Sequence, residues 1–150
     1  MAKKTKSIEP RQFGALPYRE REDALEILLI SSRETRRWIL PKGWPMKGVK
    51  PHRAAAREAM EEAGLIGDIA KLPIGSFTYP KRLKNGAALK CEVTVFPMKV
   101  DQELKRWPEA GQRTRRWFSI DEAVDAVEEP DLRDLLTRFS EGRNGALKQN

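Results

Sequence analysis

Cys91 is the only cysteine in the chain, which excludes an internal disulfide and any multi-cysteine zinc site and is compatible with a reducing cytoplasm. Long apolar runs are missing too. The longest, such as Ile27 to Ile30 and Val93 to Pro97, fall far short of the roughly 20 residues that a membrane-spanning helix requires. The basic start MAKKTKSIEP has no apolar segment behind it, so it does not read as a secretory signal. Acid is in deficit: 22 Asp and Glu stand against 29 Lys and Arg, a net charge of +7, and such a surface attracts anions. Nucleic acid and a small, highly phosphorylated ligand both fit that charge.

What is present describes one soluble domain. A chain of 150 residues is long enough to bury a mixed core without disulfides or a structural metal. The reading is a single domain over 9–141, with a flexible basic tail at 1–8 and a flexible tail at 142–150. Short strands are predicted over Gln12 to Tyr18, Ala24 to Ser32 and Trp38 to Leu40, with the charged run Arg19 to Asp23 as the turn between the first two. The segment PKGWPMKG, Pro41 to Gly48, carries two prolines and two glycines and reads as an irregular loop. Ile69 to Tyr79 and Ala88 to Val100 are further extended segments, expected to pair antiparallel through the Asn85-Gly86 turn. Arg116 to Ser119 is a short strand, and Ile120 to Val127 and Asp131 to Phe139 are helices separated by Pro130. This order gives an α/β (α+β) fold, a mixed sheet with helices on its faces.

The chemistry concentrates between Pro51 and Gly64. Proline suits a first helical turn, the stretch His52 to Ala63 is rich in Ala, Glu, Arg and Met, and glycine suits the stop. At about 100° per residue, Glu58, Glu61 and Glu62 fall on one face, with Ala56, Met60 and Ala63 opposite as the packing face. Carboxylates this close repel and raise one another's pKa, so a cation is expected among them. Arg57 paired with Glu61 at i, i+4 is the plain surface alternative. A hard divalent ion, Mg²⁺ or Mn²⁺, is the functional one, because it takes oxygen ligands; a glycine loop leading into the helix and a basic surround favour it.

The run from Gly43 to Leu65 closely resembles the Nudix box, G-x5-E-x7-R-E-U-x-E-E-x-G-U with U a bulky aliphatic residue, ending here in REAMEEAGL at Arg57 to Leu65. The match departs at Val49, where the family has glutamate, and at Ala59, where it has a larger apolar residue. The resemblance implies a mixed sheet sandwiched between helices and hydrolysis of a pyrophosphate bond. It implies Glu58, Glu61 and Glu62 as metal ligands, one of them a general base in some members, with Arg57 orienting Glu58 and Gly43 supplying backbone near the metal. Some members add a carboxylate from outside the box, for which Glu92, Glu103 and Glu109 are candidates. Valine cannot bind a cation, so Val49 points to a weakened metal shell or slower turnover.

Within the family, SSRETRRWILPKG and GQRTRRWF are similar to the diphosphoinositol polyphosphate phosphohydrolases, which also act on diadenosine polyphosphates. The triple-glycine loop of that subgroup is replaced by Pro41-Lys42-Gly43-Trp44. The resemblance makes Ser31, Ser32, Arg33, Arg37, Arg113 and Arg115 candidate phosphate contacts, and Lys42 and Trp44 join them as loop residues beside the expected metal. Arginine forks bind phosphate oxygens bidentately, which suits a polyanion. Trp38, Trp117 and Cys91 read as core residues, and His52 as a surface residue. Two other readings stand beside the small-molecule hydrolase: an RNA or nucleotide pyrophosphohydrolase, and a ligand-binding module that kept the fold and lost turnover through Val49. Oligomeric state is not legible.

Overall fold

The protein is described here by a computed structural model covering residues 10–148, with side-chain surroundings described for 10–143. The basic tail expected over 1–8 lies outside the described residues. Among the described residues eight strands form one mixed sheet: β1 (Arg11–Arg21), β2 (Ala24–Ser31), β3 (Trp38–Ile39), β4 (Lys42–Gly43), β5 (Leu65–Ile69), β6 (Gly75–Arg82), β7 (Ala88–Glu103) and β8 (Arg115–Ser119). The central order is β3-β2-β1-β7-β5, with β8 on β2, β6 on β7 and β4 on β1. The β1–β7 pair is parallel and the other pairs are antiparallel.

Alternation along the central strands divides the core. Leu28 and Ile30 of β2 and Ala15 of β1 pack toward α1 (Pro51–Ala63), together with Ala55, Ala59, Phe96 and Met98. Their neighbours Ile27, Leu29 and Leu16 face the other way, toward α2 (Ile120–Ala126) and α3 (Pro130–Lys148), where Ala123, Leu132, Leu135 and Leu136 complete a second cluster. A strand buried on both faces reads as an unbroken apolar run, which is why ILLI looks as it does.

Several boundaries differ from the expectation, each for a local reason. β1 continues through the charged run to Arg21, because the turn into β2 needs only Glu22 and Asp23, both at positive φ (51° and 64°), as in a tight primed hairpin. Ile69 to Tyr79 is two strands rather than one; β5 ends at Ile69 and β6 begins at Gly75. The start of the proline-glycine loop is ordered by β1: Lys42 pairs with Gly14 and Gly43 with Phe13, so β4 is a short strand. α3 runs from Pro130 to Lys148, past the Phe139 at which that helix was expected to end. The Asn85-Gly86 turn forms as expected, with Gly86 at φ 88°. Among the described residues no helix is long and apolar enough to cross a membrane.

Candidate active site

Helix α1 begins with Pro51 at its first turn and ends at Gly64, which adopts the left-handed conformation (φ 67°, ψ 36°). Its packing face is turned from the expected one but shares Ala63 with it. Ala55, Ala59 and Ala63 are fully buried against the sheet, while Ala56 and Met60 are only partly covered. Ala59, in place of a larger residue, lets the helix lie close to Ala15 and Phe96. His52 is also buried rather than exposed, with its ring 6.5 Å from Phe96. This rotation tips Glu62 inward until it is buried, leaving Glu58 and Glu61 partly exposed on the outer side.

The backbone of β4 lies against those carboxylates. The Lys42 amide donates to Glu62 Oε1 at 3.2 Å, and a Cβ placed on Gly43 would collide with the Glu58 carboxylate. A side chain at position 43 would therefore displace the Glu58 carboxylate, and pairing of β4 with β1 holds the backbone there. Burial pushes the Glu62 carboxyl up to about 7, with Arg113 and Lys42 pulling it back and Glu58 adding to the rise. Glu58 is raised as well, first by burial and then by the Glu61 charge, while a hydrogen bond with Glu62 opposes the shift. Lys42, whose ammonium lies 4.6 Å from the Tyr79 ring centre, is lowered to about 8, chiefly by burial and partly offset by Glu62. Two neighbouring carboxyls, both shifted toward the neutral form, leave a place for added positive charge. Hard oxygen donors so crowded fit a divalent cation. Among the described residues no three acidic, histidine or cysteine side chains form a ready-made cage; a magnesium-type ion needs none, since water and substrate phosphate usually complete its shell.

A cleft of about 430 Å³ opens over these groups and brings together Arg33, Lys42, Gly43, Trp44, Glu58, Glu62 and Arg113 of the expected site. Arg113 links its parts: it donates to Glu109 Oε1 (2.8 Å) and to the Ser31 carbonyl (3.2 Å), and its Nη2 lies 3.8 Å from Glu62 Oε2. Arg33 reaches Gln112 at 3.1 Å across the rim.

Other expected residues lie elsewhere. Arg115 donates to the carbonyls of Ala63, Gly64 and Leu104 (2.9, 3.3 and 2.7 Å) and stacks on Trp107, so it closes the end of α1 outside the cleft. Arg37 is engaged by Glu129 at 2.9 Å and Glu128 at 3.3 Å. The Ser31 hydroxyl accepts from the Thr114 amide and the Ser32 hydroxyl from the Arg37 amide, both at 2.9 Å; these serines shape loops. Arg57 contacts Met46 Sδ at 3.5 Å rather than a carboxylate. Glu61 is on α1 beside Glu58 but does not line the cleft.

The cleft also contains Gln12, Tyr79 and Lys81, which the sequence did not single out. Tyr79 donates to Gln12 Oε1 at 2.7 Å, and burial pushes its phenol upward. Tyr79 and Lys81 are two apart on β6 and so share a face, a signal present in the strand alternation. The structure also separates the three outlying acids. Glu92 pairs with Arg11 and Ser76, and Glu103 pairs with Arg19, whereas Glu109 adjoins Arg113 and acts on the Glu58 charge.

A carboxylate helix and a glycine strand against a mixed sheet, with helices on both faces, define a Nudix-type fold. The NUDIX domain model matches residues 9–139, and the chain belongs to the Nudix hydrolase family. It is similar to Nudix hydrolase 18, mitochondrial, of Arabidopsis thaliana, with 33% identity over 130 residues covering 82% of this chain and 72% of that one. It is 34% identical over 132 residues to diphosphoinositol polyphosphate phosphohydrolase 3-alpha of Mus musculus, covering 83% of this chain and 75% of that one. A C. elegans Ap4A hydrolase structure, a binary complex, shares the fold with a TM-score of 0.68 at 22% identity, over 91% of this chain and 98% of that one.

Proposed function

We propose that this protein hydrolyses a phosphoanhydride bond in a highly phosphorylated small molecule, a diphosphoinositol polyphosphate or a diadenosine polyphosphate, with Mg²⁺ (Mn²⁺ as substitute). The observation that carries the reading is the convergence of Glu58 and Glu62 with Arg33, Lys42, Lys81 and Arg113 in one cleft. Acid alone would repel such a substrate and base alone would only bind it.

In this reading Glu58, Glu61 and Glu62 hold the cation. When bound, it would neutralise phosphate oxygens and lower the pKa of an attacking water. Arg33, Lys42, Lys81 and Arg113 take the remaining phosphate oxygens, with the Arg113 fork set by Glu109 and the Ser31 carbonyl. Glu62 and Glu109 are the groups placed to accept the proton of the water. The leaving group is a phosphate, so it needs little help from an acid. Trp44, 44% exposed and 5.6 Å from the Lys81 ammonium, forms the rim against which the rest of the substrate lies.

The names of the mouse and worm relatives support the two substrate classes without choosing between them. The cytoplasmic setting rests on the lone cysteine, and the Arabidopsis relative bears "mitochondrial" in its name. The test is a substrate panel with Mg²⁺: phosphate release from either class is the expected result. Tight binding without turnover would instead support the binding-module reading that Val49 suggests, and length-dependent, steeply salt-sensitive action on RNA would support the RNA reading.

A further inference from the structure

The last carbonyls of a helix have no partner within it and need donors from outside. In α1 these are supplied almost entirely by the connection from β7 to β8 and by Arg115, the first residue of β8. The Glu109 amide donates to the Glu61 carbonyl (3.0 Å), the Trp107 indole N–H to that of Glu62 (3.2 Å), Arg115 to those of Ala63 and Gly64, and the Leu104 amide to that of Gly64 (2.7 Å). Trp107 also occupies the space that a side chain at position 64 would fill, and Arg115 stacks over its ring at 4.0 Å. Two of the carbonyls held are those of Glu61 and Glu62 themselves. The same segment carries Arg113, whose guanidinium reaches the Glu62 carboxylate, and Glu109, whose carboxylate holds Arg113.

We propose that Trp107 and Arg115 are positioning residues for the α1 carboxylates, locking the last turn of the helix to the segment that delivers Glu109 and Arg113. The inference rests on α1 being the metal-holding helix of the proposed function. Neither residue touches the cleft; each acts through the backbone of Glu62, Ala63 or Gly64. The chemistry is that of outer partners of a metal site, which fix ligand orientation and whose loss typically weakens metal binding roughly 10- to 100-fold. The indole N–H is the informative atom, because Trp107→Phe removes it and keeps an aromatic ring for Arg115 to cover.

The experiment titrates full-length protein with Mn²⁺ alone, reading free Mn²⁺ by electron paramagnetic resonance, and then measures kcat and KM with the best substrate of the panel. For Trp107→Phe with an unchanged circular dichroism spectrum, the expected result is Mn²⁺ binding weakened roughly 10-fold, a lower kcat and an unchanged KM. Arg115→Lys, which keeps the charge but not the fork, should move the same quantities in the same direction and serves if Trp107→Phe does not fold. Phe139→Leu, which loosens the ring contact with Tyr18, controls for general destabilisation and should leave Mn²⁺ affinity unchanged. Wild-type Mn²⁺ affinity and kcat in folded Trp107→Phe would overturn the proposal, as would an equal loss in Phe139→Leu. Wild-type protein that neither binds Mn²⁺ nor turns over substrate would overturn the metal-hydrolase reading, and the positioning proposal with it.

Discussion

Arg113 and Arg115 are two residues apart in one short run, yet they serve the last turn of the same helix in different ways. Arg113 is held by Glu109 and the Ser31 carbonyl and points toward Glu62 in the cleft. Arg115 points away, into the carbonyls that close α1. The first arginine cluster divides similarly, Arg33 to the cleft and Arg37 to Glu129. A basic cluster is thus not one surface: burial and available acceptors decide whether a guanidinium is left to meet a ligand or is used to build the frame.

The largest effect that would break this contrast lies on the cleft side. Glu62→Gln, which keeps size and hydrogen bonding but removes the charge, should lower kcat by roughly 10³-fold, within the usual range for a removed acid–base group; steady-state kinetics read it. Gly43→Ala should fold and yet lose roughly 100-fold in kcat, because its Cβ collides with the Glu58 carboxylate and small displacements of reacting groups are expensive.

Arg113→Gln and Arg115→Gln form the direct comparison. The first should raise KM roughly 10-fold for a polyphosphate substrate, as expected for loss of one charge-assisted contact. The second should lower stability by about 2 kcal/mol with KM unchanged, since it leaves helix carbonyls without their donor. Denaturant melts and KM measured on the same preparations would show the effects exchanged if the division of labour were wrong.

The smallest effect is a pH dependence of the metal-free protein. Burial pushes the folded Glu62 carboxyl up to about 7, above its ordinary 4.5, so the folded chain holds its proton more tightly. Its stabilising share is fully present below the unfolded pKa and is lost as pH rises through about 7. Lys42, lowered to about 8 from 10.5, acts oppositely, adding stability between those two values as pH rises. Glu62→Gln should flatten the decline between about 4.5 and 7, a difference of roughly 1 to 2 kcal/mol after discounting for coupling to Lys42 and Arg113.

Much of this was legible in the sequence because it is local. Pro51 and Gly64 bracket α1, and Asn85-Gly86 marks its hairpin, each through the backbone preference of the residue itself. The identity of the carboxylates follows from helical spacing. The rotation of α1 did not follow from it: Ala59 and Ala55 pack where Ala56 and Met60 were expected, because the surface that receives the helix is built by Ala15, Phe96 and Met98 from distant strands. Lys81 and Tyr79 reach the cleft through pairing of β6 with β7 and of β7 with β1, contacts that no local pattern encodes. The double use of the 113–116 run was hidden for the same reason, since the acceptors of Arg115 belong to α1 and to the end of β7.

The most direct test follows ³¹P resonances of a diadenosine polyphosphate and of a diphosphoinositol polyphosphate with the wild-type protein, with and without Mg²⁺, beside Glu62→Gln. The account predicts new phosphate resonances from at least one substrate, only with the cation, and almost none for the variant on the same timescale. Conversion that persists in a chelator, or that proceeds equally in Glu62→Gln, would contradict it.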